Sequence, residues 1–153
     1  MYEEKLEALG LHVPQVAAPV ANYVPSVISG GWIYVSGQLP TAEGKLAYSG
    51  KLGQDLDVEQ GYQAAQVCAL NCLGALKQAL GSLDKVERIV KISGFVNSAP
   101  DFTDQPKVVN GASDLLGKVF DDRGVHARSA VGVASLPLGA CCEVELIAKL
   151  KED

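Results

Sequence analysis

The sequence predicts a single two-layer α+β domain, and three observations carry that expectation. Its 153 residues are enough for one hydrophobic core but not for two. Apolar residues make up 48% of the chain and charged residues 20%, the mix of an ordinary globular domain, and its 16 glycines form no low-complexity run. Periodic segments follow one another as a short helix and then β-β-loop-α-β-α-β-β, which sets two long helices against an antiparallel or mixed sheet. No internal repeat or linker interrupts that order, so residues 1–153 are expected to form one domain.

Each element has its own signal. Residues 2–9 read as a short amphipathic helix that Gly10 ends. Val24 to Ser29 and Trp32 to Ser36 read as strands joined by Gly30-Gly31, a two-residue hairpin signal, and Pro25 marks the first as an edge strand. Thr41 to Asp57 is polar and glycine-rich and is expected to be a surface loop, long enough to suggest a role of its own. Tyr62, Ala65, Ala69, Leu73, Leu76 and Leu80 then recur at three- and four-residue steps along a long helix that Gly81 stops. Val86 to Asn97 is a strand in which Gly94 signals a bulge or a close backbone approach. Asp104 to Phe120 is the second long helix, with Asp104 as its N-cap and Val109, Leu115, Leu116 and Val119 on its apolar face. Strands over Ser129–Ala134 and Cys142–Leu150 close the order, separated by a Leu-Pro-Leu-Gly turn.

Charge and composition exclude several function classes. The net charge is −5 and no two Lys or Arg residues are adjacent, so the basic stripe that grips nucleic acid is missing. The first residues are acidic and the apolar stretch beyond them is broken by Pro14 and Pro19, unlike a signal peptide, and no run is long enough for a membrane span. The four cysteines fit a reducing compartment, hence a cytoplasmic protein. Cys68 and Cys72 fall on one helix face, whereas Cys141 and Cys142, neighbours at a strand start, are expected to point to opposite sides. With no C-x-x-C and no histidine near a thiol, buried apolar-like cysteines are expected rather than a zinc site.

Two segments depart from ordinary packing. In the last strand, alternation puts Cys142, Val144, Leu146 and Ala148 on one face and Glu143, Glu145 and Ile147 on the other. The second face is either solvated or meets another subunit with one carboxylate turned into a pocket. In the strand before it, Arg128 opens a run of small uncharged residues. A guanidinium there suits a bidentate grip on a small carboxylate or phosphate, or else an ion pair with Glu143 or another acid, and spacing does not separate the two. His126 is a proton carrier or, more in keeping with a lone histidine before a strand, a packing residue.

Asn22-Tyr23, Tyr34-Val-Ser-Gly-Gln-Leu-Pro40, Ala127-Arg-Ser129 ahead of Leu136-Pro137, and Glu143-Val-Glu-Leu-Ile-Ala148 together resemble the RidA/YjgF family of enamine/imine deaminases. The resemblance runs from about Pro19 to Ala148. It implies a chorismate-mutase-like fold, two long helices on one face of a mixed sheet, and a homotrimer with pockets between subunits. The helix at 2–9 and the loop at 41–57 look like additions of a longer-chain branch. Carried over residue by residue, the resemblance makes Arg128 the grip on the substrate carboxylate and Glu143 the acid that positions the attacking water. It makes Gly37 and Ala130 backbone lining, Tyr23 a pocket wall and Asn110 a pocket asparagine. Ala130 stands where the family's deaminases usually have cysteine, and Gly132 and Ser135 where Glu and Arg are common.

The implied reaction is hydrolysis of a small 2-imino acid, such as the tautomer of 2-aminoacrylate, to a 2-keto acid and ammonium. It needs no metal or organic cofactor, because a protonated imine is already electrophilic. Two alternatives belong to other classes: a non-catalytic carboxylate-binding regulatory trimer, and a ribonuclease, which the acidic charge disfavours.

Overall fold

The computed structural model describes residues 1–16 and 21–153, so Pro19 lies outside the described residues. Among them α1 (Tyr2–Ala8) leads to β1 (Ser26–Ser29) and β2 (Trp32–Gln38), then to two short strands, β3 (Thr41–Ala42) and β4 (Lys45–Leu46). There follow α2 (Val58–Leu80), β5 (Val86–Asn97), α3 (Gln105–Phe120), β6 (Ala127–Val133) and β7 (Cys142–Leu150). The five long strands form one sheet in the order β1-β2-β7-β5-β6. Its pairs are antiparallel except β5 with β6, which run parallel because α3 crosses between them. This is the two-layer α+β architecture expected, a mixed sheet with both long helices on one face.

Local chemistry sets the boundaries. Gly30 and Gly31 both take positive φ, 59° and 84°, as a tight turn between β1 and β2 demands. Pro25 directly precedes β1, which is an edge strand. α2 begins four residues before Tyr62, at Val58, because Asp57 and Gln60 form a reciprocal cap with both bonds at 2.9 Å. It ends at Gly81 in the left-handed conformation. Asp104 does precede α3 but makes no side-chain cap bond. The core lies between the helices and one face of the sheet, where Ile33, Ile92, Val96 and Ala148 are wholly buried against residues such as Ala65, Leu73 and Leu116. Gly94 is a close approach rather than a bulge, since a Cβ there would lie 2.5 Å from Val109. At the far end of α3, Tyr2 of α1 packs on Phe120 with ring centroids 4.5 Å apart.

Two expectations need correction. The stretch from Thr41 to Asp57 is not a plain surface loop: β3 and β4 form a small hairpin, and Leu52 is completely buried. The Leu52 N–H donates to the Asn97 carbonyl at 2.8 Å and its own carbonyl accepts from the Ala99 N–H at 2.9 Å. Leu52, with both backbone groups paired, docks the segment together with partly buried Tyr48 and Leu56, and the polar residues among them mask that signal in the sequence. Nor do Cys141 and Cys142 face opposite sides. Both are buried with Sγ atoms 3.9 Å apart, because Cys141 precedes β7 and alternation begins only at Cys142. Cys68 and Cys72 do share one face of α2: the Cys68 Sγ lies 3.7 Å from that of Cys142, and the Cys72 thiol donates to the Val144 carbonyl. Burial pushes the Cys68 and Cys72 thiols above their ordinary range, which suits packing rather than chemistry. No helix among the described residues is long and apolar enough to cross a membrane.

Candidate active site

Arg128 is the second residue of β6 and pairs with Ile92, so its side chain leaves the sheet on the face that carries the helices. It runs along the outer edge of that layer onto α3. There Nη1 donates to Asn110 Oδ1 at 2.9 Å and to Ser113 Oγ at 3.1 Å, while Nη2 donates to the Pro106 carbonyl at 3.3 Å. All three acceptors are neutral, and among the described residues Arg128 makes no ion pair. Residues 106, 110 and 113 fall at helical spacing on one side of α3, which is why one guanidinium reaches all of them. Behind Ser113 stands His126: its Nε2 lies 2.9 Å from Ser113 Oγ and its Nδ1 2.6 Å from the Gly124 carbonyl. Burial, and secondarily the Arg128 charge, hold His126 below its ordinary pKa of 6.5.

Glu143 lies on the other side of the sheet. In β7 it pairs with Phe95 and is half-buried on the face without helices. Three steps along β2, from Val35 to Gln38, span the distance of two along β7, from Leu146 to Val144, so β2 carries a bulge at Ser36-Gly37. The bulge brings the Gly37 backbone against the Glu143 carboxylate, where a Cβ at Gly37 would collide with Glu143 Oε1. Only glycine leaves that carboxylate its place. Burial, with a smaller contribution from neighbouring Glu145, raises the Glu143 pKa above the ordinary 4.5. On the same face Tyr34, Lys91, Ser93 and Glu145 border a hollow of about 130 Å³.

The fold therefore sorts the residues singled out in the sequence into two groups. Arg128 and Asn110 meet directly, and Gly37 and Glu143 meet directly, but the two pairs stand on opposite faces of one sheet. That disposes of an Arg128–Glu143 ion pair within the chain. Ala130 follows Arg128 on β6, pairs with Gly94 and packs against the core. Tyr23, 53% exposed, lies ahead of β1. Ser113 and the Pro106 carbonyl were not legible as part of the arginine's setting. The signal for Ser113 was its three-residue spacing from Asn110, informative only once α3 is known to lie beside β6.

Residues 3–150 match the family described as "YjgF/chorismate_mutase-like, putative endoribonuclease". Protein TCP17 of Trypanosoma cruzi is 49% identical over 146 residues, covering 95% of this chain and 91% of the relative. The crystal structure of Atu1372, a protein of unknown function from Agrobacterium tumefaciens, superposes with a TM-score of 0.93 at 46% identity, covering 98% of this chain and 92% of that one. The Escherichia coli YjgF gene product superposes with a TM-score of 0.63 at 26% identity, covering 90% and 94%.

Proposed function

The chain belongs to the RidA/YjgF family, and from the setting of Arg128 we propose that it is a hydrolytic deaminase of reactive 2-imino acids, active as a homotrimer. The observation that carries this reading is that Arg128 has no acid beside it among the described residues. Its guanidinium is braced by three neutral oxygens from one side of α3, two of them side-chain groups, which orient the fork and leave its charge for an anion. A small substrate carboxylate meets that need. Glu143, with its raised pKa, is a better proton acceptor near neutrality than an ordinary surface glutamate. Because Arg128 and Glu143 stand on opposite faces of one sheet, a shared pocket requires the arginine edge of one subunit to meet the open sheet face of the next. Such a heterologous contact makes a closed ring when its rotation is a third of a turn, and that ring supplies three equivalent pockets.

In that pocket Arg128 fixes the carboxylate, with Asn110 holding the guanidinium in place. The backbone at Gly37 and Ala130 lines the floor and Tyr23 the wall. Water adds to the carbon of the protonated imine as Glu143 takes its proton; Glu143 then gives that proton to the nitrogen of the carbinolamine, which loses its hydroxyl proton to water and expels ammonia to leave the 2-keto acid. Ammonia release from 2-imino acids generated freshly in the assay tests the reaction, and light scattering at micromolar concentration tests the assembly. Turnover and a trimer are expected. A trimer that binds 2-keto acids without turnover would instead favour a carboxylate-binding regulator, and a monomer would count against the shared pocket. Salt-sensitive RNA binding would favour a ribonuclease, a poor match for the net charge of −5.

A further inference from the structure

We infer that His126 and Ser113 are positioning residues for Arg128, acting through a one-way hydrogen-bond relay that turns acceptor oxygen toward the guanidinium. The inference rests on the reading of Arg128 as the carboxylate anchor and extends it to two residues that the reading does not use. The relay follows from donor and acceptor accounting. The Gly124 carbonyl can only accept, so the bond of 2.6 Å to His126 Nδ1 puts the ring proton on that nitrogen. In the neutral ring Nε2 is then left as a lone pair, which Ser113 Oγ, 2.9 Å away, meets with its single hydroxyl proton. The hydroxyl proton being committed, only the oxygen's lone pairs face Arg128 Nη1 at 3.1 Å. A serine without the histidine is free to rotate and compete as a donor; with it, Ser113 is a fixed acceptor.

The anchor at the far end of the relay is rigid. Gly124 is buried in the turn that follows α3, packed so closely that a Cβ there would collide with the Leu116 carbonyl. The relay thus ties Arg128 on β6 through Ser113 to the turn beyond α3, while Asn110 and Pro106 hold it to the first half of that helix. A fork held from both sides keeps its plane, and a carboxylate then meets donors that have little freedom left to lose.

The test measures binding of pyruvate, and of pyruvamide as a probe lacking the carboxylate, by calorimetry on the full chain, alongside melting temperature. His126→Ala and Ser113→Ala should each weaken pyruvate binding about 3- to 10-fold, the effect of one lost hydrogen bond, and leave pyruvamide unchanged. The double variant should lose no more than either single one, since both break the same relay. His126→Gln, whose amide oxygen can accept the Ser113 proton, and Ser113→Thr, which keeps the hydroxyl, should restore most of the affinity and guard against misfolding of the alanine variants. In turnover the loss should fall on KM with kcat little changed. Wild-type affinity in folded His126→Ala and Ser113→Ala proteins would overturn the relay alone, as would additive losses in the double variant. A wild-type chain that binds no pyruvate would overturn the reading of Arg128 and the relay with it.

Discussion

The two faces of the five-stranded sheet are built from the same strands and do opposite things. On the helix-covered face Ile33, Ile92, Val96 and Ala148 are sealed from solvent, while on the other Tyr34 and Val131 remain 47% and 46% exposed and Glu143 is only half-buried. A sheet face that merely met water would carry polar side chains throughout. This one mixes exposed aromatic and β-branched residues with two acids, and one of those acids is lodged against a glycine that could be no other residue without displacing it. Arg128 adds to the contrast: it lies on the covered side, yet at the rim, and its partners orient rather than neutralise it. The difference teaches that the closed face accounts for stability and that the candidate chemistry is divided between the rim of one face and the middle of the other.

That division can be broken by substitution. The largest effect on turnover is expected from Glu143→Gln, about 10²- to 10⁴-fold in kcat if it handles protons, with binding of a 2-keto acid nearly intact. The same change should raise stability at neutral pH. The folded-state pKa of Glu143 lies above its ordinary 4.5, so the ionised carboxylate disfavours the fold once the pH exceeds that range. Chemical denaturation at pH 7 and steady-state kinetics on one preparation would check both, and a variant that neither lost activity nor gained stability would remove Glu143 from the site. Next comes Arg128→Ala, expected to weaken carboxylate binding about 10- to 100-fold through loss of charge-assisted bonds, and Arg128→Lys by less. Its melting temperature should hardly move, because no buried acid is left unpaired. A strongly destabilised variant with normal turnover would make Arg128 structural after all.

For the core residues of the closed side the expected effects are on stability alone. Leu52→Ala should cost about 2–5 kcal/mol of unfolding free energy and loosen the segment from Thr41 to Asp57, measurable by denaturation and hydrogen exchange. Replacing Cys68, Cys72, Cys141 and Cys142 together by Ala should lower stability and spare turnover, and loss of activity in a folded protein would return the thiols to consideration. The smallest effect is a pH dependence. His126 has a folded-state pKa below 6.5, so the unfolded chain takes up a proton first as the pH falls. Stability should therefore decline from about pH 6.5 downward and level off below the folded-state pKa, a slope that His126→Gln removes.

Much of this molecule is determined by local sequence. The period of α2, the length of β5 and the in-out alternation of β7 are set by side-chain spacing, and the hairpin at Gly30-Gly31 by the backbone freedom of those residues, so each is legible in the residues alone. Arg128, Glu143, Gly37 and Asn110 stand out there too, by residue type and by family resemblance. What tertiary structure alone decided is which of them meet. The sign of the Arg128 environment depends on the parallel pairing of β5 with β6, which lays the arginine across α3 and brings up Ser113 and His126. The Gly37–Glu143 contact depends on a bulge at Ser36-Gly37, where the sequence pattern ends the strand at Ser36. Docking of the Thr41–Asp57 segment rests on Leu52, with Tyr48 and Leu56 beside it, apolar side chains scattered without period through a polar run. Spacing along a chain fixes the direction of a side chain relative to its own element; contact between elements depends on register and crossover, which are set by the packing of the whole core.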